Sequence, residues 1–307
     1  MTAWDRIERL LGKEALDYLH QRTVGVVGLG SGGGFVAESL AMSGVGRFVL
    51  IDDDLLESVN VVRHVGDLRD VGRPKVEAVA DLIRARNADA EVTAIRGRIE
   101  QHFDALNGVD VVVVGVDGER VKYLINEACL ARDLPAVYAG VYERGEGGDV
   151  VVIDPRDETS PCYACWADDV REGIVDPEAD ELDYGMIGPD GTLEAEPGLW
   201  LHVVRVAAVQ ADLALNELLH GTGQYRRMPG NTVILANRPL EIFQGKVTPP
   251  YGAEWINIAR DPDCLECSQR GRLQEAEAGE AELSLDQLLS DSGIHYEEAE
   301  EAQDGES

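Results

Sequence analysis

Hydrophobic positions along the chain switch between two periods, and the switches locate the elements. Trp4, Ile7, Leu10, Leu11, Ala15, Leu16 and Leu19 recur at helical spacing and predict one amphipathic helix ahead of the first strand. Val24, Val26 and Val27 form a short β-branched run, the mark of a buried strand. Phe35, Val36, Leu40 and Ala41 return to helical spacing, and residues 48–51 make a second strand that ends on Asp52. Residues 75–83 carry an apolar helical face behind Pro74, a residue suited to a first helical turn. Residues 92–95 and 109–114 read as the third and fourth strands, the latter buried on both faces. A helix over 119–131 and strands over 136–141 and 150–153 follow. Residues 200–219 predict a strong helix, and 231–235 with 240–243 resemble a hairpin closing the sheet. Strand–helix alternation predicts an α/β fold. The expected form is a Rossmann-like doubly wound sheet, with a parallel N-terminal half continued by antiparallel strands and helices on both faces.

The first strand-to-helix turn is Gly28-Leu29-Gly30-Ser31-Gly32-Gly33, a G-x-G-x-x-G. Glycines let the backbone turn tightly and approach a ligand, and a helix N-terminus offers N–H groups and partial positive charge to an anion. An acid about 20 residues on, here Asp52, can accept both ribose hydroxyls. The competing reading is a glycine turn that only packs a helix on a sheet. Past Asp52 the chain adds Asp54, Asn60, Arg63, Arg73 and Lys75. A dinucleotide dehydrogenase has no general need for that cluster. Cations and an amide beside a ribose-binding acid suit a triphosphate, whose charge needs neutralising during transfer. Asp117 falls at the carboxyl end of the fourth strand, where ligands of open α/β sheets bind. It can hold Mg2+ on phosphate oxygens or cap the helix that follows. Arg6 and Arg9 on the first helix are either solvated or reach a phosphate, in their own subunit or a neighbour's.

Composition narrows the class. In 307 residues, 44% hydrophobic, no apolar run reaches transmembrane length, and MTAWDRIERL lacks a signal-peptide pattern. The expectation is a soluble cytoplasmic protein. A net charge of -31 argues against nucleic acid and acidic membranes as partners, and fits a high-salt cytoplasm or a basic partner. Five cysteines do not make a disulfide scaffold, but four form two C-x-x-C pairs, Cys162/Cys165 and Cys264/Cys267. Together they predict a closed, structural zinc site with four thiolate ligands, tying the C-terminal segment to the middle of the chain. A redox role is disfavoured because neither pair is expected to open a thioredoxin-like helix. Residues 167–198, acidic and rich in Gly and Pro, predict a long mobile loop. Residues 271–307 read as an acidic, solvated tail with one short helix near 284–289.

With Gly28, Gly30, Gly33, Asp52, Asp54, Asn60, Arg63, Lys75, Asp117 and the two C-x-x-C pairs in order, the chain resembles the ThiF/MoeB/HesA group of ubiquitin-activating-enzyme-like adenylyltransferases. The resemblance implies one adenylation domain over residues 1–270. It implies that Asp52 binds the ATP ribose, that Asn60, Arg63 and Lys75 hold the phosphates, and that Asp117 acts through Mg2+. Arg9 matches an arginine that reaches the ATP site of the other subunit of a homodimer. Such enzymes adenylate the C-terminal glycine of a ubiquitin-fold carrier ending in Gly-Gly, and a sulfurtransferase or a conjugating enzyme receives the product. Some members carry a catalytic cysteine in the segment matching 167–198, which here has none. The remaining Cys129 sits on an apolar helical face and reads as core packing, so no enzyme-bound thioester is expected. The first helix also resembles a branch that dehydrates a modified adenosine in transfer RNA, a branch that generally lacks the zinc pairs. Alternative readings are adenylation of a small carboxylate or a modified tRNA, a non-catalytic nucleotide-binding scaffold, and an NAD-dependent oxidoreductase.

Overall fold

The computed structural model describes residues 3–173, 198–243 and 245–268. The predicted tail and most of the predicted acidic loop lie outside the described residues. The chain opens with two short helices, α1 (Asp5–Leu11) and α2 (Lys13–Leu19), where the apolar period predicts one. The break is Gly12, at φ +83°, a conformation that L side chains rarely adopt. Ala15, Leu16 and Leu19 of α2 are buried, whereas no residue of α1 is.

Next come β1 (Thr23–Val27), α3 (Ser31–Met42), β2 (Arg47–Asp52), α4 (Lys75–Arg86), β3 (Glu91–Arg96), β4 (Val111–Val114), α5 (Glu119–Leu130) and β5 (Ala136–Val141). These strands run parallel in the order β5-β4-β1-β2-β3. Beyond β5 the sheet turns antiparallel through β6 (Gly147–Ile153), β7 (Thr232–Ala236) and β10 (Ala253–Ile256). The eight-stranded order is β10-β7-β6-β5-β4-β1-β2-β3, the mixed Rossmann-like sheet that the pattern predicts.

Two hydrophobic cores lie against the sheet. One joins α2, α3, α4 and α7 (Trp200–Leu218) through Leu19, Val36, Leu40, Val79, Ile83, Ala211 and Leu213. The other joins α5 and α6 (Tyr163–Gly173) through Ile125, Cys129, Tyr163 and Trp166. Tyr163 stacks on Tyr138 with centroids 4.5 Å apart. Gln210 of α7 is buried, and its amide donates to Val114 O and Val137 O, both at 2.9 Å. That satisfied polar contact pins α7 to β4 and β5 beside the strand tips.

Two expectations are corrected. Residues 231–235 and 240–243 do not pair with each other. Every residue of β7 is buried because it is an interior strand between β6 and β10. The chain leaving it is held by Asn237 and Arg238, whose N–H groups both donate to Glu146 O. Half-exposed β8 (Leu240–Phe243) pairs instead with β9 (Lys246–Thr248) as a separate small sheet. The expected loop also begins late, since residues 167–173 continue α6. Among the described residues no helix is long and apolar enough to cross a membrane.

Candidate active site

The parallel strand tips meet at the glycine turn. Gly28 has φ +85°, and a Cβ there would lie 2.7 Å from the Gly115 carbonyl. A Cβ on Gly33 would lie 1.9 Å from Gly28 O. Packing of the turn on β4 and α3 therefore demands both glycines. Gly30 differs: a Cβ on it meets nothing within 4 Å. That open side leaves room for close approach of a ligand. Gly30 is also the N-cap of the twelve-residue helix α3. Gly115, absent from the predicted site, is held as tightly, since its own Cβ would come 2.7 Å from Gly28 O.

Asp52 ends β2 against this turn. Its Oδ2 accepts Leu29 N–H at 2.6 Å and its Oδ1 accepts Asp54 N–H at 2.9 Å. Burial raises its pKa above the usual carboxylate value; the two backbone N–H groups and the Lys75 charge oppose that rise. Residues 54–56 then zip antiparallel onto 72–75. Leu56 N–H donates to Arg73 O, Gly72 N–H to Leu56 O, and Lys75 N–H to Asp54 O at 3.0 Å. This ladder brings Lys75, first residue of α4, onto Asp54, with Nζ 2.6 Å from Oδ2. The Lys75 side chain is only 11% exposed, while Asp54 remains open to solvent.

Asn60 and Arg63 lie on a 3-10 turn, Ser58–Arg63, where Asn60 Oδ1 accepts Glu57 N–H at 3.0 Å. Arg63 ends that turn, half-buried. The next residue, His64, is buried and reaches the glycine turn, with Nε2 2.7 Å from Leu29 O. Sequence reasoning missed His64. Its partner is a backbone atom 35 residues away, and no local signal marks it.

Asp117 is exposed, two residues beyond Gly115 and so beside the same turn. The α5 N-cap is Gly118, with no side-chain capping bond, so capping is not what Asp117 does. Arg73 leaves the predicted cluster: it pairs with Asp70 at 2.7 Å and Asp81 at 2.5 Å. Arg9 stands apart as well, exposed on α1 and paired with Asp5 at 3.1 Å.

The four cysteines of the two pairs converge. Cys162 Sγ lies 3.7 Å from Cys165 Sγ and 3.6 Å from Cys264 Sγ, and Cys165 Sγ lies 3.6 Å from Cys267 Sγ. All four sulfurs fall within 4.8 Å of one another and all four residues are buried. A disulfide needs about 2.05 Å. A tetrahedral ion with Zn–S bonds of about 2.3 Å holds its sulfurs about 3.8 Å apart. The donor set fits zinc. Contrary to the expectation, Cys162 does open a helix, directly preceding α6. Convergence of the second pair, rather than the lack of a helix, separates this arrangement from a redox C-x-x-C. Arg260 braces the segment by donating to Cys267 O at 2.7 Å and Glu158 O at 3.2 Å.

Residues 5–238 match the ThiF family, and the chain belongs to that family, which places it among adenylyltransferases that use ATP. It is similar to the SAMP-activating enzyme E1 of Haloferax volcanii, 31% identical over 226 residues that cover 71% of this chain and 77% of that one. It is 39% identical over 140 residues to the tRNA threonylcarbamoyladenosine dehydratase of Bacillus subtilis, covering 44% and 54%. It is 34% identical over 177 residues to the sulfur carrier protein ThiS adenylyltransferase of Escherichia coli, covering 55% and 68%. Escherichia coli MccB crystallised with MccA-N7isoASN shares the fold, with a TM-score of 0.65 at 21% identity over 87% of this chain and 75% of that one.

Proposed function

We propose that this chain adenylates the C-terminal glycine of a ubiquitin-fold carrier protein ending in Gly-Gly. The observation that carries the reading is the gathering of Gly30, Asp52 and the sheltered Lys75 ammonium at the ends of the parallel strands. In this reading Gly28, Gly30 and Gly33 shape the turn for the phosphates, and Asp52 receives the ribose. Asn60, Arg63 and Lys75 bind and orient the triphosphate, and Asp54, the partner of Lys75, holds that ammonium at the site. A carboxylate oxygen of the carrier attacks the α-phosphorus, the bond from that phosphorus to the bridging oxygen breaks, and pyrophosphate leaves with the electron pair. Arg63 and Lys75 offset the charge that gathers on it, so catalysis is mostly positioning and charge stabilisation. Asp117 would hold Mg2+, which supplies further charge neutralisation on phosphate oxygens. Cys162, Cys165, Cys264 and Cys267 would hold a structural Zn2+. Arg9, exposed on α1, would serve the partner site of a homodimer. A sulfurtransferase or a conjugating enzyme would take the acyl group.

Similarity to the SAMP-activating enzyme and to the ThiS adenylyltransferase supports a carrier substrate. The match to a tRNA-modifying enzyme supports a second reading, adenylation of a modified tRNA. The charge of -31 and the four-cysteine cluster favour the carrier. The test is ATP–pyrophosphate exchange with candidate Gly-Gly-ended carriers and with tRNA. Exchange that depends on a carrier and is lost on deleting its last glycine is the expected result. Exchange with tRNA alone selects the second reading.

A further inference from the structure

The two peptides that flank Leu29 are held from opposite sides. Leu29 N–H donates to Asp52 Oδ2 at 2.6 Å. Leu29 O lies 2.7 Å from His64 Nε2, and His64 Nδ1 lies 2.8 Å from Gly66 N. A backbone N–H can only donate and a carbonyl can only accept. His64 is therefore the neutral tautomer with its proton on Nε2, which donates to Leu29 O while Nδ1 accepts from Gly66. Room for the ring comes from Gly66, where a Cβ would sit 3.1 Å from Nδ1.

A trans peptide is planar, with its C=O and the following N–H antiparallel. Fixing Leu29 C=O on His64 therefore aims Gly30 N–H to the opposite side. Gly30 is the residue of the turn whose Cβ direction meets open space. It is also the α3 N-cap, where backbone N–H groups and the helix dipole favour an anion. His64 directly follows Arg63, so one imidazole links the glycine turn to the Ser58–Arg63 turn.

We infer that His64 is a positioning residue of the nucleotide site, which orients the Leu29–Gly30 peptide so that Gly30 N–H faces a phosphate oxygen of the bound nucleotide. The inference rests on the nucleotide reading of this cleft. It assigns His64 no contact with the ligand; its action passes through the peptide.

Two amides divide the roles of the ring. Glutamine carries an N–H2 near the place of Nε2 and can keep the Leu29 bond. Asparagine carries an oxygen near the place of Nδ1 and can keep only the Gly66 bond. With the full chain, binding of Mg-ATP by calorimetry is expected to stay within about threefold of wild type for His64→Gln. For His64→Asn it is expected to weaken about tenfold, the effect of one hydrogen bond, with the chain still folded at the assay temperature. A role limited to shaping the 64–66 turn predicts the reverse order and overturns the inference, as does equal affinity of both variants. A second measurement needs no substitution. Leu-Gly occurs twice in the sequence, at 11–12 and 29–30. Carbonyl-13C leucine with 15N glycine therefore isolates the amides of Gly12 and Gly30. Mg-ATP should shift Gly30 and leave Gly12 in place; binding without a Gly30 shift overturns the inference. A wild-type chain that binds no Mg-ATP overturns the nucleotide reading and this inference together.

Discussion

The Lys75 ammonium lies 2.6 Å from Asp54 Oδ2, and the same two residues share a backbone bond, Lys75 N–H to Asp54 O at 3.0 Å. The lysine is nearly enclosed while the aspartate is open to solvent. In the proposed reading, an entering phosphate meets the ammonium already held in place and competes with Asp54 for it. Such a pre-set cation matters most when charge moves onto a leaving pyrophosphate. Lys75→Ala is expected to lower kcat for adenylation by about a hundredfold with a smaller change in KM for ATP.

Asp52 is bound differently. It holds Leu29 and Asp54 by their N–H groups and, in the proposed reading, the ribose in ground and transition states alike. Asp52→Ala is expected to raise KM for ATP about tenfold while kcat at saturation falls less. Steady-state pyrophosphate release with the carrier measures both variants. Equal effects of the two substitutions on affinity alone would remove this division of labour.

The cysteine cluster predicts one zinc per chain. Cys264 and Cys267 lie about a hundred residues beyond Cys162 and Cys165, so a bound ion would close a long loop and fasten residues 257–268 to the start of α6. Cys264→Ser/Cys267→Ser is expected to lose the metal and to lower the unfolding temperature by several degrees, because metal-binding free energy becomes folding free energy. Nucleotide affinity is expected to change less, since the cluster packs with Leu130, Ala164 and Tyr123 and not with the glycine turn. Plasma emission metal analysis decides the first point, and absence of zinc from protein purified without chelator would refute the site.

Which parts of this site were legible in the sequence follows from what kind of information each part is. Gly28, Gly30, Gly33 and Asp52 are a spacing, and strand, turn, helix and strand are each written locally. Lys75 was legible because Pro74 marks a helix start. His64 was not, because its partner is a carbonyl whose direction no sequence records. Arg73 was read into the phosphate cluster because its pairing with Asp70 and Asp81 depends on side-chain direction, which the sequence does not record. The long first helix failed at Gly12 because the apolar period runs on across the break. The expected hairpin failed because β10, a four-residue strand, takes the far edge of β7.

Asp149 supplies a pH signature independent of catalysis. It is buried in β6 opposite Gly140 of β5. Burial pushes its pKa up from 3.8 to about 6, against the pull of the Lys122 charge. The folded chain therefore keeps this proton where the unfolded chain has lost it. Below pH 4 both states are protonated and nothing is lost. As pH rises from about 4 to 6, stability falls by about 3 kcal/mol at most, and above 6 the loss is constant. Asp149→Asn removes the titration. The variant is expected to gain on wild type progressively between pH 4 and 6 and to hold a level difference above 6. Urea melts at pH 4, 5, 6 and 7 check this, and a difference independent of pH would contradict the assignment.

A thioester-forming activating enzyme needs a cysteine thiolate within reach of the acyl-adenylate. Cys162, Cys165, Cys264 and Cys267 are gathered in the buried cluster, where a bound metal would occupy their sulfurs. Cys129 is 1% exposed on α5, in the core with Ile125, Ala128 and Tyr138. Burial pushes its thiol up to about 12, with the Arg132 charge giving only partial relief. At neutral pH it is a thiol and not a nucleophile. The acyl-adenylate should therefore pass directly to a sulfur nucleophile on a partner, such as the persulfide of a sulfurtransferase or the cysteine of a conjugating enzyme. Cys129→Ala leaves a small cavity and is expected to cost about 1 kcal/mol of stability without changing kcat. Enzyme, ATP, Mg2+ and cognate carrier, incubated together and examined by non-reducing gel and intact mass, should yield adenylated carrier and no covalent enzyme–carrier adduct. A reducible adduct that disappears in Cys129→Ala would make the α5 thiol catalytic and overturn direct transfer.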